Sequence, residues 1–181
     1  MIEEKMMSAF SALDTLLDEF DGTNIERLVR ISEDWRPNPE LLQHLVRFAE
    51  SGDGHSQVGA TWLLKRYQET GAQFPEPLVA RLLELLTTVD RWESRMHLLQ
   101  MLPGLLIPNS CADQLKQSLL GWTLERNLFV RSWAYSGLHR LASLYPKFRA
   151  QIMPLLERAK TEESASVRAR LRQLPGLDRD R

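Results

Sequence analysis

The chain has 181 residues, of which 43% are hydrophobic and 26% are charged, and its formal net charge at pH 7 is −1. This composition is typical of a globular protein and argues against a largely disordered chain. The near-neutral charge excludes a global electrostatic attraction to nucleic acids or anionic membranes. A single cysteine, Cys111, excludes an internal disulfide and a cysteine-based metal cage.

Two short amphipathic helical patterns occupy residues 1–36, over 5–20 and 24–34. The segment between them ends on Asn24, a residue type that favours helix N-caps. We expect residues 1–36 to form a helical hairpin that caps a larger array. The first residues are acidic, no apolar run typical of a signal peptide follows them, and no apolar stretch is long enough to span a membrane. These features predict a cytoplasmic protein.

Residues 37–175 carry a repeat that begins each time with proline. Proline at or before the first turn fits a helix start, because its missing N–H would be unpaired there anyway. The prolines are Pro37 and Pro39, Pro75 and Pro77, Pro108, and Pro146. Apolar residues follow them in two ladders with a step of 37 residues: Leu41, Leu78, Leu115 and Ile152, then Leu45, Leu82, Leu119 and Leu156. Each pair lies on one helical face, and no segment alternates as a strand would, which predicts an all-α fold of two-helix repeats.

The second helices of these repeats also superimpose, over 90–98, 126–134 and 163–171. Their runs Val-Arg-Ser-Trp-Ala (130–134) and Val-Arg-Ala-Arg-Leu (167–171) resemble the signature of an acid, a few residues, Val-Arg, two residues and Ala that opens the second helix of HEAT repeats. The resemblance implies a right-handed α–α superhelix, a short solenoid of about four to five helical hairpins. Residues 37–175 would then form one continuous array, and 176–181 a frayed tail.

The same resemblance implies a structural role for three arginines. In HEAT repeats the arginine of the signature pairs with an acid near the turn between the two helices. Arg95, Arg131 and Arg168 would form this arginine ladder, with Asp90 and Glu163 where the acid belongs. The chain departs from the pattern in three repeats: Arg126 stands where a third acid would be, Ser94 replaces the valine, and in an earlier helix Gly59 stands where the arginine is expected.

The sequence contains few residue patterns that would indicate catalysis or metal binding. No two histidines stand three or four residues apart, and no His-Glu-x-x-His motif occurs. Glu93 and His97 fall one helical turn apart, but such a pair is more often a solvated surface pair than a catalytic one. Glycine-rich phosphate loops and a Gly-x-Ser-x-Gly elbow are absent from the sequence. We therefore expect no enzymatic activity, no cofactor and no metal; a small enzyme of the HEAT-like group stays an alternative that no particular residue supports.

A column of mixed residues on the second helices is the candidate binding face. In HEAT-like solenoids these helices line the concave side, and the column includes aromatic, polar and charged residues, unlike the apolar ladders. Trp and Arg are favoured anchors of protein interfaces. The predicted partner-binding residues are Phe129, Trp133, Arg140, His97 and Arg170. Aromatic residues at helical spacing are more often core, so the exposure of Phe129 and Trp133 stays open, while Trp62, Trp92 and Trp122 are expected in the core.

The function predicted from these features is a non-catalytic protein–protein interaction or scaffold module that binds a protein or peptide on its concave face. The alternative is a nucleic-acid-binding protein resembling the HEAT-like alkylpurine DNA glycosylases in architecture. Nucleic-acid binding needs a basic groove that pairs with phosphates, and the basic residues of this chain are concentrated towards the C-terminal repeat. The sequence leaves the partner and the oligomeric state open.

Overall fold

A computed structural model describes the backbone of residues 2–52 and 54–177 and the side chains from residue 10 onward. Over these residues every regular element is helical, which confirms the all-α prediction. The α-helices are α1 (Ile2–Asp18), α2 (Ile25–Asp34), α3 (Pro39–Ser51), α4 (Gly54–Glu69), α5 (Glu76–Thr88), α6 (Trp92–Met101), α7 (Asn109–Trp122), α8 (Leu128–Leu144), α9 (Arg149–Glu162) and α10 (Ala165–Leu171). Short 3-10 helices at Leu102–Gly104 and Pro146–Phe148 follow α6 and α8.

The helix starts follow the capping residues and prolines of the sequence. Asn38 accepts a hydrogen bond from the backbone N–H of Leu41 over 2.8 Å at the start of α3, where Pro39 is the first helical residue. Pro75 and Pro108 directly precede α5 and α7. Because each proline is placed where a helix leaves an N–H unpaired, these residues start helices without the loss of a hydrogen bond.

The two apolar ladders form the core of the hairpins. All eight residues of the ladders are at most 3% exposed, and they lie on α3, α5, α7 and α9, the first helix of each predicted repeat. Burying one leucine or isoleucine side chain contributes about 1.5–3 kcal/mol. The ladder thus anchors each first helix. On the second helices the position of the predicted valine is also buried, at Ser94, Val130 and Val167.

The chain divides into two compact units, Met1–Leu98 and Leu99–Arg181. In the first unit α3 packs on α4 and on α5, and α1 and α2 both pack on α4. The hairpin predicted as a cap over residues 1–36 therefore belongs to the same compact unit as the helices that follow it. In the second unit α7 packs on α8, and α8 packs on both α9 and α10.

Several burial states differ from the sequence prediction. Trp92 was expected in the core but is 39% exposed, and Trp62 and Trp122 are half-buried. Leu177 was assigned to a frayed tail but is only 3% exposed, and its carbonyl accepts a hydrogen bond from Lys160 Nζ over 2.7 Å. The remainder of that predicted tail, 178–181, lies outside the described residues.

Candidate binding site

Two arginines of the predicted ladder donate hydrogen bonds to the turns that precede their helices. Arg95 Nη2 donates to the carbonyl oxygen of Val89 over 2.7 Å, and Arg131 Nη1 donates to that of Glu125 over 3.1 Å. Each bond reaches back six residues, so the arginine closes the turn before its own helix. The third arginine, Arg168, has its Nε atom buried at the equivalent position of α10.

Glu163, in the turn between α9 and α10, contacts two side chains of α8. Its Oε2 atom lies 3.2 Å from Arg131 Nε, and its Oε1 atom accepts a hydrogen bond from the hydroxyl of Tyr135 over 3.0 Å. Burial, reinforced by the Glu163 carboxylate, raises the pKa of Tyr135 to about 12, so this hydroxyl stays protonated and keeps donating. These contacts join α8 to the next hairpin and give Arg131 a structural role.

His97 is buried, which corrects its assignment to an exposed binding face. The residue is 7% exposed, and its Nδ1 atom lies 3.2 Å from the hydroxyl of Thr61 on α4. That hydroxyl donates to the carbonyl oxygen of Gln57 over 3.0 Å, so it accepts from the imidazole N–H. Burial, with a smaller contribution from the charge of Lys65, lowers the pKa of His97 to about 4. His97 is thus a neutral, packed histidine at pH 7.

Trp133 is half-buried beneath a guanidinium group. The Arg170 guanidinium carbon lies 3.5 Å from the centre of the Trp133 ring, a close cation–π contact. Arg170 Nε also donates to the Ser136 hydroxyl over 2.9 Å, and its Nη1 donates to Gln173 Oε1 over 3.1 Å. Burial lowers the pKa of Arg170 from its usual value. The structure therefore brings Trp133 and Arg170, both predicted as partner-binding, into one cluster.

Beside this cluster lies a cleft of about 290 Å³ in the second unit. Its polar lining residues are Ser136, His139, Arg140, Ser143, Arg170 and Gln173, and its apolar lining residues are Pro103, Leu174 and Pro175. Arg140 Nη2 donates to the carbonyl oxygen of Leu105 over 3.0 Å, which fixes the side chain at the cleft. The two arginines predicted as binding residues on α8 and α10 thus share one cavity.

His139 belongs to the cleft but was not a predicted site residue. Its Nε2 atom lies 3.0 Å from the carbonyl oxygen of Pro175, which can only accept, so Nε2 carries the proton. Burial lowers the pKa of His139, which keeps the ring neutral near pH 7. The positive charge of the cleft consequently comes from its arginines. In the sequence His139 stands one residue before Arg140, but no spacing rule marks it as a partner of the distant Pro175.

Phe129 is exposed at the start of α8. The residue is 59% exposed, and two further apolar side chains nearby in the sequence, Leu124 and Leu128, are 83% and 40% exposed. These leucines were not among the predicted site residues, because they lie in and beside the turn between α7 and α8, outside the column of mixed residues on the second helices. Polar residues are usual at a turn, so large apolar residues there were a sequence signal for an exposed apolar surface.

In residues 2–52 and 54–177 no group of three or more His, Cys, Asp or Glu side chains is arranged to hold a metal ion. Among the helices of the same residues, none combines the length and the apolar character needed to cross a bilayer.

Comparisons with known proteins add no family assignment. No family model matches the chain, and neither the curated proteins nor the solved structures contain a significant match.

Proposed function

We propose that this chain is a non-catalytic protein-interaction module, built as a short right-handed solenoid of HEAT-like hairpins. Its partner, a protein or peptide, binds to the side formed by the second helices. The observation that carries the proposal is a stripe on α8, defined by Phe129, Trp133, Ser136 and Arg140. These residues stand at i, i+4, i+7 and i+11, so they share one helical face.

The two ends of the stripe are accessible, whereas its middle is packed: Ser136 is 1% exposed and Trp133 lies beneath Arg170. The stripe begins at an exposed aromatic ring and ends at the two-arginine cleft, with Arg170 stacked on Trp133 between them. At about 1.5 Å per residue the stripe extends about 16 Å along the helix, the length of roughly five residues of extended peptide. An exposed aromatic residue and a positioned arginine are frequent anchors of protein interfaces.

The experiment is quantitative affinity capture from the native host with three baits: the unmodified chain, Phe129→Ser and Ile25→Ser. Ile25 is the matched control, because it is a 44% exposed apolar residue on α2, outside the stripe. Both substitutions should change the free energy of unfolding by no more than about 0.5 kcal/mol. We expect a partner that the unmodified chain and Ile25→Ser capture equally and that Phe129→Ser captures at least about fivefold less well. Identical captures by all three baits contradict the proposal.

The cleft also supports nucleic-acid binding as a second candidate function, because two arginines line it and no acid among the described residues does. A phosphate-binding groove would make affinity fall steeply with salt. Retention on immobilised DNA that decreases across a salt gradient, and that Arg140→Met abolishes, would favour this candidate. Absence of retention at low salt would exclude it.

A further inference from the structure

Arg140 and Arg170 carry positive charge that the described residues do not neutralise. The groups that they contact are neutral: the Leu105 carbonyl for Arg140, and a hydroxyl, an amide oxygen and an indole ring for Arg170. Other arginines of the chain, such as Arg27 and Arg81, lie in ion pairs with glutamates. A shielded cation without a counter-ion is costly, and a ligand anion that completes its hydrogen bonds would remove this cost.

Both guanidinium groups are held in place and retain N–H groups that can donate further hydrogen bonds. Hydrogen bonds to Ser136 and Gln173 and the contact with Trp133 fix Arg170 through Nε, Nη1 and the guanidinium plane. Arg140 is fixed through Nη2, and its buried Nε has no hydrogen-bond partner among the described residues. Each guanidinium has five N–H donors, so both retain donors for a ligand. Because the side chains are already ordered, binding requires little further loss of conformational entropy.

The rest of the cleft selects the kind of anion. Its volume of about 290 Å³ is at the lower end of small-molecule sites and suits a group about the size of one amino-acid residue. Pro103, Leu174 and Pro175 give it apolar walls, and the N–H of His139 is already bonded to the Pro175 carbonyl. A phosphate could bond to the arginines but would leave these apolar walls uncovered, whereas a carboxylate on an apolar group would also bury that group against them.

We propose that this cleft binds a carboxylate attached to an apolar group, with Arg140 and Arg170 bonded to the carboxylate and Pro103, Leu174 and Pro175 packed against the apolar part. Two sources share this chemistry: a small organic acid, and the C-terminus of a partner protein that ends in an apolar residue. The inference deepens the proposed function and rests on it only for the second source.

The first test compares ligands on the unmodified full chain by isothermal titration calorimetry, with N-acetyl-leucine, N-acetyl-leucinamide and inorganic phosphate as probes. The amide has the shape of the acid without its charge, and phosphate has the charge without the apolar group. We expect a dissociation constant on the order of millimolar for the acid, as is usual for so small a ligand, and binding at least about tenfold weaker for the other two. Equal binding of acid and amide, or preference for phosphate, overturns the proposal without any variant.

The second test uses matched arginine variants. Arg140→Met keeps most of the side-chain volume and removes the guanidinium; Arg172→Met removes an equal charge from an exposed residue at the end of α10 that does not line the cleft. We expect Arg140→Met to weaken N-acetyl-leucine binding about tenfold or more and Arg172→Met to change it less than about twofold. Equal losses in both variants would indicate non-specific attraction and would overturn the assignment of the cleft.

A third titration separates the two sources and the two proposals. A pentapeptide with a free C-terminal leucine is compared with N-acetyl-leucine, on the unmodified chain and on Phe129→Ser. Tighter peptide binding that Phe129→Ser reduces to the affinity of the single residue supports a protein C-terminus lying along the stripe. Equal affinities, unaffected by Phe129→Ser, support a small acid in the cleft. That result supports the carboxylate site and contradicts the proposal that a peptide binds along the stripe.

Discussion

Replacing His97 should reduce the loss of stability that accompanies a fall in pH from 8 to 5. In the folded protein the pKa of His97 is about 4, against 6.5 in the unfolded chain, because the imidazole is buried and lies near the charge of Lys65. Between these values the unfolded chain binds a proton that the folded protein does not, so stability is lost as the pH falls from 6.5 towards 4. The resulting decrease in the free energy of unfolding from pH 8 to pH 5 is about 2 kcal/mol.

The assay is urea unfolding at pH 8 and pH 5, followed by circular dichroism. The variant His97→Asn removes the titrating ring and keeps an N–H donor for the hydroxyl of Thr61. Its free energy of unfolding should fall between the two pH values by about 2 kcal/mol less than that of the unmodified chain, a difference of roughly 1 M in the urea midpoint. The control is His55→Asn, which replaces an exposed histidine and should retain the original decrease.

The lowered pKa of His139 acts in the same direction, but His139 is present in all three chains, so its contribution cancels in the comparison. If His97→Asn shows the same decrease as the unmodified chain, His97 is accessible to protons in the folded protein. The packed arrangement with Thr61 would then be wrong.

Two further predictions concern packing in the second unit, both measured as changes in the free energy of urea unfolding. Gly137→Ala should destabilise the protein by about 1 kcal/mol, because a Cβ there would lie 2.8 Å from a methyl group of Leu119. In the control Gly121→Ala the new Cβ meets no atom within 4 Å, so this substitution should stabilise the protein by up to about 0.5 kcal/mol. If Gly137→Ala proved the more stable of the two variants, the core around α8 would be loosely packed. Arg131→Met should lower the free energy of unfolding by about 1–2 kcal/mol, because it removes the hydrogen bond to the turn carbonyl and the ion pair. The control Arg126→Met, at an exposed residue, should lower it by less than about 0.5 kcal/mol. Equal effects of the two substitutions would contradict the structural role of Arg131.

The helical class, the helix starts and the core ladders could be read from the sequence because they depend on local chemistry. A proline lacks an N–H wherever it stands, and leucines four residues apart share a helical face in any context. Leu45, Leu82 and their equivalents are accordingly buried as predicted. The sequence predicted acids as partners of the signature arginines, whereas Arg95 and Arg131 donate to backbone carbonyl oxygens six residues earlier, and Arg131 also lies 3.2 Å from Glu163.

Only the tertiary structure decided what covers the other face of the second helices. The helical period groups His97, Trp133 and Arg170 into one column, but it does not say whether a neighbouring helix or solvent faces that column. Equivalent positions of consecutive second helices lie against each other: Thr61 contacts His97, and Trp133 lies beneath Arg170. These contacts join residues 36 and 37 positions apart, and they bury the histidine while leaving the guanidinium at a cleft. Packing between repeats, which no local pattern encodes, thus separated the core residues of the column from the residues available to a ligand.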